Sequence, residues 1–128
     1  TFTVDLRHHE DARIAQMEAA LRERFSEIAA RRGLAVQIDR HWVSPATPFD
    51  AACVKAVADA VERLDYPHQR IVSGAGHDAI HIAKHCPTAM IFVPCVNGLS
   101  HNEAEDALPE DVTRGADVLL HAMLARAG

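Results

Sequence analysis

The chain has 128 residues and a mass of 14.0 kDa, which is the size of one small domain. Hydrophobic residues make up 48% of it and charged residues 24%, so its composition allows a buried core and argues against intrinsic disorder. The net charge of −5 argues against a protein that coats nucleic acid or an anionic membrane. No apolar run reaches the ~20 residues that are needed to cross a bilayer.

Three cysteines and nine histidines are the unusual part of the composition. The cysteines, Cys53, Cys86 and Cys95, are widely spaced and odd in number, which favours a reducing compartment over a disulfide framework. The sequence therefore predicts a cytoplasmic location. The histidines place much of the titratable charge near neutral pH, in agreement with the pI of about 5.9.

The pattern of the first third predicts a strand, a helix and a second strand. Residues 2–7 alternate between apolar and polar side chains, which is typical of a half-buried strand, and Arg7 lies on its polar face. Gly33 follows two arginines and is expected to end the helix in a left-handed conformation. Residues 34–42 alternate again as the second strand. Apolar residues recur along one face of the helix at Ile14, Met17, Leu21, Phe25 and Ile28.

The rest of the chain predicts helices and strands in alternation. Residues 43–48 have the composition of a linker, and Thr47 is expected to cap a helix that ends before Pro67. The further predicted elements are a strand at 70–73, a tight turn at 74–76, a helix at 78–85, a strand at 89–95 and a helix from Pro109. This order predicts a parallel sheet and the α/β class.

A glycine-rich turn, SGAGHDA at 73–79, lies between a predicted strand and a predicted helix. Its glycines would let the backbone approach a ligand closely, and a helix N-terminus attracts anions. The same letters fit a dinucleotide fingerprint, but the next predicted strand does not end in the acidic residue that would hold a ribose, which disfavours this interpretation. An ordinary strand-to-helix turn is the remaining alternative.

Three histidines at a spacing of four residues, His77, His81 and His85, fall on one face of the predicted helix. His77 and His81 imitate a zinc-binding helix motif, although Asp78 is a shorter acid than the glutamate that such a motif requires. A solvated or capping face of histidines is the favoured interpretation. His77 has the stronger functional case because it also belongs to the glycine turn.

Two further residues have the chemistry of a binding site. His101 follows the apolar strand, where ligands bind in open parallel sheets, and the neighbouring carboxylates of Glu103 and Glu105 could orient it. It could ligate a metal or simply cap a helix. Arg7 could hold a carboxylate through two parallel hydrogen bonds, or it could pair with Asp5 or Asp39 instead. The residue pattern leaves both pairs of alternatives open.

Three stretches, taken in order and spacing, resemble one family. They are TFTVDLRH at 1–8, SGAGHDA at 73–79 and MIFVPCVNGLSHNEAE at 90–105. Together they resemble the amidase branch of the M20 metallopeptidases, which includes N-carbamoyl-L-amino acid hydrolases, allantoate amidohydrolases and β-ureidopropionases. The resemblance covers essentially the whole chain, and because members of the family are far longer, it implies a C-terminal fragment.

The resemblance also implies a division of the chain and a fold. Residues 1–43 would be the second half of an α+β, ferredoxin-like lid domain that mediates dimerisation. Residues 44–128 would be the C-terminal portion of an α/β, zinc-peptidase-like catalytic domain. Because the strand that lies between the two lid strands in the family would be missing, we expect exposed strand edges and self-association of the chain, or direct pairing of residues 2–7 with 34–42.

By the same resemblance, Arg7 would bind the substrate carboxylate and His101 would be a metal ligand. The residues that would line the substrate pocket are Gly74, Ala75, Gly76 and His77. No catalytic residue would lie in this chain. The family uses two divalent metal ions per full-length subunit (zinc, manganese or cobalt), and we expect the chain alone not to hold them because it supplies one ligand.

The resemblance therefore implies a fragment of a metal-dependent amidohydrolase that cleaves linear C–N bonds of small ureido or amide carboxylates. N-carbamoyl-L-amino acids are the first expected substrates and allantoate the second. The parent enzyme is expected to be a homodimer without nucleic-acid or membrane partners, and the fragment alone is expected to be inactive. The alternative is a free-standing α/β domain that binds an anion or a metal without catalysis.

Overall fold

A computed structural model describes residues 1–127 of the chain. Its helices are α1 (Asp11–Arg32), α2 (Ala51–Arg63), α3 (Asp78–Ile82) and α4 (Pro109–Ala127), and a 3₁₀ turn spans Val96–Gly98. In this described part of the chain, no helix is both long enough and apolar enough to cross a membrane.

Residues 1–127 contain no hydrogen-bonded strand, so the strands predicted at 2–7, 34–42, 70–73 and 89–95 are not formed. A helix satisfies its backbone hydrogen bonds internally, whereas a strand needs a neighbouring strand to do so. In the described part of the chain, no backbone hydrogen bond joins 2–7 to 34–42, so the direct pairing considered from the sequence is absent. Both segments leave large side chains in solvent, with Phe2 and Trp42 each 75% exposed.

Helix α1 ends where the sequence predicts. Gly33 adopts a left-handed φ of 65°, and its N–H donates to the carbonyl of Ala30 at 3.3 Å. The N–H of Leu34 donates to the carbonyl of Ala29 at 2.9 Å, which completes a Schellman motif. Glycine is suited to this position because a left-handed conformation does not strain it.

Helices α2 and α4 pack against each other and form the main core. The residues buried between them are small and aliphatic: Ala60, Val61, Val118 and Ala122. The predicted cap of α2 is wrong, because Asp50, and not Thr47, is the N-cap residue. The Asp50 carboxylate accepts the N–H of Cys53 at 2.8 Å, and its own N–H donates to Thr88 at 3.0 Å.

Helix α3 is shorter than the predicted helix at 78–85. It ends at Ile82, and the following residues tighten into turns in which His85 donates to the carbonyl of Ile82 at 2.8 Å. Pro87 lies just beyond and cannot continue a helix, because it has no N–H and its ring restricts the residue before it. The helix therefore has five residues.

The described residues divide into two compact units. Unit 1 consists of residues 1–47 and 72–75 and contains α1, and unit 2 consists of 48–71 and the residues from 76 onward and contains the other helices. In unit 1, Phe2 and Phe25 contact edge to face with their ring centroids 5.9 Å apart. The division predicted at residue 43 concerns a lid and a catalytic domain and stays a prediction.

Candidate functional site

Arg7 makes three side-chain hydrogen bonds with residues of the described part of the chain. Its Nε and Nη2 both donate to Oδ2 of Asp5, at 2.9 and 2.6 Å, and its Nη1 donates to the carbonyl oxygen of Gly74 at 2.9 Å. Of the two partners considered from the sequence, Asp5 is therefore the one observed, and Asp39 instead accepts from Gln37 at 2.9 Å. All of these contacts lie within unit 1.

The Asp5–Arg7 pair changes the acidity of both groups. Hydrogen bonds from the Arg7 guanidinium lower the pKa of Asp5 below its ordinary value. The same hydrogen bonds raise the pKa of Arg7, so both groups keep their charges throughout the neutral range. The pair remains in contact with solvent, since the Arg7 side chain is 64% exposed and that of Asp5 57% exposed.

The glycine turn meets Arg7 through a backbone carbonyl, a contact that spans 67 residues of sequence. Neither Gly74 nor Gly76 has a positive φ, and a Cβ added to either would meet no atom within 4 Å. The space beside both residues is thus open, which leaves room for a molecule to approach the backbone. Within the turn, the N–H of Ala75 donates to Oγ of Ser73 at 3.2 Å.

His77 is the N-cap residue of α3, in an extended conformation with a φ of −138°. Its ring meets Phe92 edge to face at 5.5 Å. Helix α3 has only five residues, so few aligned peptide groups contribute to the attraction of an anion at its start, and the dinucleotide interpretation stays disfavoured. The predicted helical face of three histidines is wrong, since His85 lies beyond the end of α3.

His101 lies in a loop whose backbone is partly left-handed. Its φ is 55°, an uncommon value for a residue with a side chain, and Asn97 has a φ of 56° in the same loop. Glu105 holds the loop: its Oε2 accepts the N–H of His101 at 2.8 Å, and its Oε1 accepts the thiol of Cys95 at 3.6 Å. Burial, followed by the Glu105 carboxylate, raises the pKa of Cys95, which therefore stays a neutral thiol.

The Glu105 contact differs from what the sequence suggested. A carboxylate near His101 was expected to orient its imidazole ring, whereas Glu105 binds the backbone N–H of that residue. The spacing of the two residues signals that they are close, but it does not show which atom of His101 is held. Asn102 helps to shape the same turn by accepting the N–H of Ala104 on its side chain at 3.0 Å.

The described residues do not make a metal site by themselves. Within 1–127, no three His, Cys, Asp or Glu side chains lie close enough together to hold a metal ion. One imidazole, that of His101, is too few donors for a zinc or manganese ion, which takes four or more. No reaction step is therefore assigned to a metal held by this chain alone.

The comparison with known families decides where the chain belongs. Residues 4–125 match the profile of the peptidase family M20/M25/M40. The chain belongs to this family. The predicted resemblance to M20 enzymes is thus confirmed.

Individual relatives match the chain over nearly its whole length. An N-carbamoyl-L-amino-acid amidohydrolase from Rhizobium meliloti is 45% identical over 98% of this chain and 30% of the relative. The allantoate amidohydrolase of Escherichia coli K12 is 33% identical over 93% of the chain and 29% of the relative. The chain therefore spans about 30% of the length of these curated relatives.

A solved amidase structure is similar to this chain. An amidase of the hydantoinase/carbamoylase family from Burkholderia multivorans is 56% identical, with a TM-score of 0.90 over 94% of this chain and 29% of that one. This similarity supports the α/β class predicted from the sequence.

Proposed function

We propose that this chain is part of a metal-dependent amidase that hydrolyses linear C–N bonds in small ureido or amide compounds bearing a carboxylate. The first substrates proposed are N-carbamoyl-L-amino acids, and allantoate is the second. The observation that carries the proposal is the 45% identity to an N-carbamoyl-L-amino-acid amidohydrolase across 98% of the chain. The proposal concerns the complete protein, of which these residues would form the C-terminal portion.

In this proposal, the role of Arg7 is to bind the substrate carboxylate. A planar guanidinium can donate two parallel hydrogen bonds to a carboxylate, and a lysine ammonium in the same place cannot. The hydrogen bond from Arg7 to the Gly74 carbonyl supports a role of the glycine turn beside it. The pocket lining proposed with this turn comprises Gly74, Ala75, Gly76 and His77.

His101 is assigned as one ligand of a metal centre whose other ligands come from outside this chain. Its left-handed backbone and the Glu105 contact hold this residue in a defined loop, as a ligand position requires. Residues 1–43 are proposed as half of a lid domain that forms a homodimer, and residues 44–128 as part of the catalytic domain. Two zinc, manganese or cobalt ions per complete subunit belong to the same proposal.

The test uses the product of the entire reading frame that encodes this chain. It is purified, supplied with zinc, manganese or cobalt, and assayed on N-carbamoyl-L-amino acids and on allantoate. We expect turnover of at least one of these substrates. A full product that binds metal or anions but hydrolyses none of them would instead favour the free-standing binding domain.

Two substitutions in that protein test the residue assignments. Arg7→Lys is expected to raise KM about tenfold, since the charge stays and one of two charged hydrogen bonds is lost. His101→Ala is expected to reduce kcat to background and to lower the metal content measured by mass spectrometry. The matched controls are Arg24→Lys and His41→Ala, at exposed positions outside the proposed site. A wild-type KM in Arg7→Lys contradicts the role of Arg7, and a wild-type metal content in His101→Ala contradicts the role of His101.

A further inference from the structure

The Arg7 guanidinium is oriented by two contacts of different kinds. Of its five N–H groups, two donate to one oxygen of Asp5 and one donates to the Gly74 carbonyl. Among the described residues, these contacts leave one N–H on each terminal nitrogen, Nη1 and Nη2. Those two atoms are bonded to the same carbon and form the end of the planar group. The Asp5 contacts engage the edge formed by Nε and Nη2, and the Gly74 contact engages Nη1, so one N–H on each terminal nitrogen remains available to a ligand.

Asp5 is placed to make this contact by its position in the chain. Asp5 and Arg7 are two residues apart, so in extended backbone both side chains lie on the same face. Because Nε and Nη2 share a single oxygen, Asp5 sets the rotation of the guanidinium as well as its distance. An arginine side chain has many rotamers, and this contact removes most of them before a ligand arrives.

Stability does not explain the pair, because ion pairs in solvent contribute little to folding. Both side chains are more than half exposed. Asp5 also carries a negative charge, which would repel a substrate carboxylate near Arg7. Its presence beside Arg7 therefore has opposing effects on such a substrate: it weakens the attraction and it orients the donor.

We propose that Asp5 is a positioning residue, whose carboxylate orients Arg7 so that the terminal N–H pair meets the substrate carboxylate. This inference rests on the proposed function, in which Arg7 binds that carboxylate. Orientation outweighs repulsion because charges in solvent interact weakly, whereas a misaligned guanidinium loses a two-point contact. The effect belongs to substrate binding, and it is absent for a substrate without a carboxylate.

The test compares Asp5→Asn with wild type in the product of the entire reading frame. Each protein is assayed on an N-carbamoyl-L-amino acid and on the corresponding N-carbamoyl amine, which lacks the carboxylate. We expect Asp5→Asn to raise KM for the amino acid about fivefold with little change in kcat, and to leave the kinetics of the amine unchanged. Asp59→Asn is the matched control, since Asp59 forms a comparable exposed pair with Lys55 at 2.7 Å.

A double-mutant cycle shows whether Asp5 acts through Arg7. In an Arg7→Lys background, Asp5→Asn is expected to have no further effect on KM, because the oriented group is already gone. A fall in KM with Asp5→Asn would show that charge repulsion dominates, and it would overturn the inference. Equal effects on both substrates, or additive effects in the double mutant, would overturn it as well.

The outcome for the wild-type protein separates this inference from the proposed function. A wild type that hydrolyses neither compound, nor allantoate, rejects the proposed function and this inference with it. A wild type that is active, with Arg7→Lys impaired and Asp5→Asn unimpaired, rejects only the role of Asp5. Thermal unfolding of each variant, expected to match wild type, excludes loss of folding as the cause of a change in KM.

Discussion

The two units of the chain show how differently helices and strands depend on their neighbours. Unit 2 contains a helix pair, α2 and α4, with a shared core, and half-buried Tyr66 and Ile91 pack against it. In unit 1, α1 is complete over 22 residues, yet Ala29 is its only buried residue among those described. The segments of unit 1 on either side of α1, at 2–7 and 34–42, form no hydrogen-bonded strand pair. Local hydrogen bonds thus suffice for a helix and do not suffice for a strand.

The largest expected effect of a single substitution on stability is at Gly115 in unit 2. A Cβ at this position of α4 would lie 2.6 Å from Cγ1 of Val93, so Gly115→Ala overpacks the contact between α4 and the segment at 89–95. Overpacking lowers the free energy of unfolding by about 1–3 kcal/mol, and the better helix propensity of alanine raises it by at most about 1 kcal/mol. We expect a net loss of about 1–2 kcal/mol in the free energy of unfolding, measured in urea.

The double variant Val93→Ala/Gly115→Ala is the control for that prediction. With Val93 shortened, the new methyl group has room, so Gly115→Ala should be neutral or stabilising in this background. A Gly115→Ala single variant that is more stable than wild type would show that α4 does not depend on this close approach.

A smaller effect is expected at Gly33 in unit 1. Its φ of 65° strains any residue with a Cβ, while the space around it is open to 4 Å. The cost of Gly33→Ala is therefore conformational, about 1 kcal/mol, and it should appear as faster amide exchange in the last turn of α1. Gly33→Asn is the matched variant and should lose less stability than Gly33→Ala, since asparagine tolerates the left-handed region better than alanine. Equal exchange in all three proteins would mean that the Schellman motif does not hold the end of α1.

The smallest effect is the pH dependence of the α2 cap. The N–H of Cys53 lowers the pKa of Asp50 below its ordinary value of 3.8. A carboxylate whose pKa is lowered in the folded state stabilises that state fully at pH values above its ordinary pKa. This stabilisation is lost as the pH falls through the lowered pKa. Asp50→Asn keeps an oxygen that can accept the same N–H but cannot titrate in this range.

We therefore expect the stability difference between wild type and Asp50→Asn to shrink as the pH falls from about 6 to about 2. Urea unfolding followed by helical circular dichroism at each pH measures this difference. A difference that stays constant over the range would show that the charge of Asp50 does not contribute to the cap.

The helices were the predictable part of the fold, and the position of one cap was not. The apolar spacing along α1 and the glycine after its two arginines carry enough local information to place its end. For α2, both Thr47 and Asp50 are good cap residues, and the choice depends on where residues 47–50 run. The hydrogen bond from the N–H of Asp50 to Thr88, far along the chain, helps to place Asp50 at that boundary.

The candidate site was predictable as a set of residue types and only partly as a set of contacts. Asp5 was one of two partners proposed for Arg7, because residues two apart share a face of extended backbone. The Gly74 carbonyl gives no signal in the sequence, since any residue has a carbonyl and this one lies 67 positions away. The left-handed φ of His101 also gives no clear signal, because histidine adopts this region more often than most residues but still only in a minority of cases.

The sequence by itself determined that helices form near 11–32, 51–63, 78–82 and 109–127, and it indicated the family, because periodicity and motif letters act within short stretches of chain. It also indicated the residues that carry the chemistry, Arg7 and His101 among them. Tertiary structure alone decided whether alternating segments become strands, which atoms hold Arg7, and what conformation His101 adopts. These outcomes depend on hydrogen-bonding partners brought together by folding, and a pattern along the chain does not specify which partner is within reach.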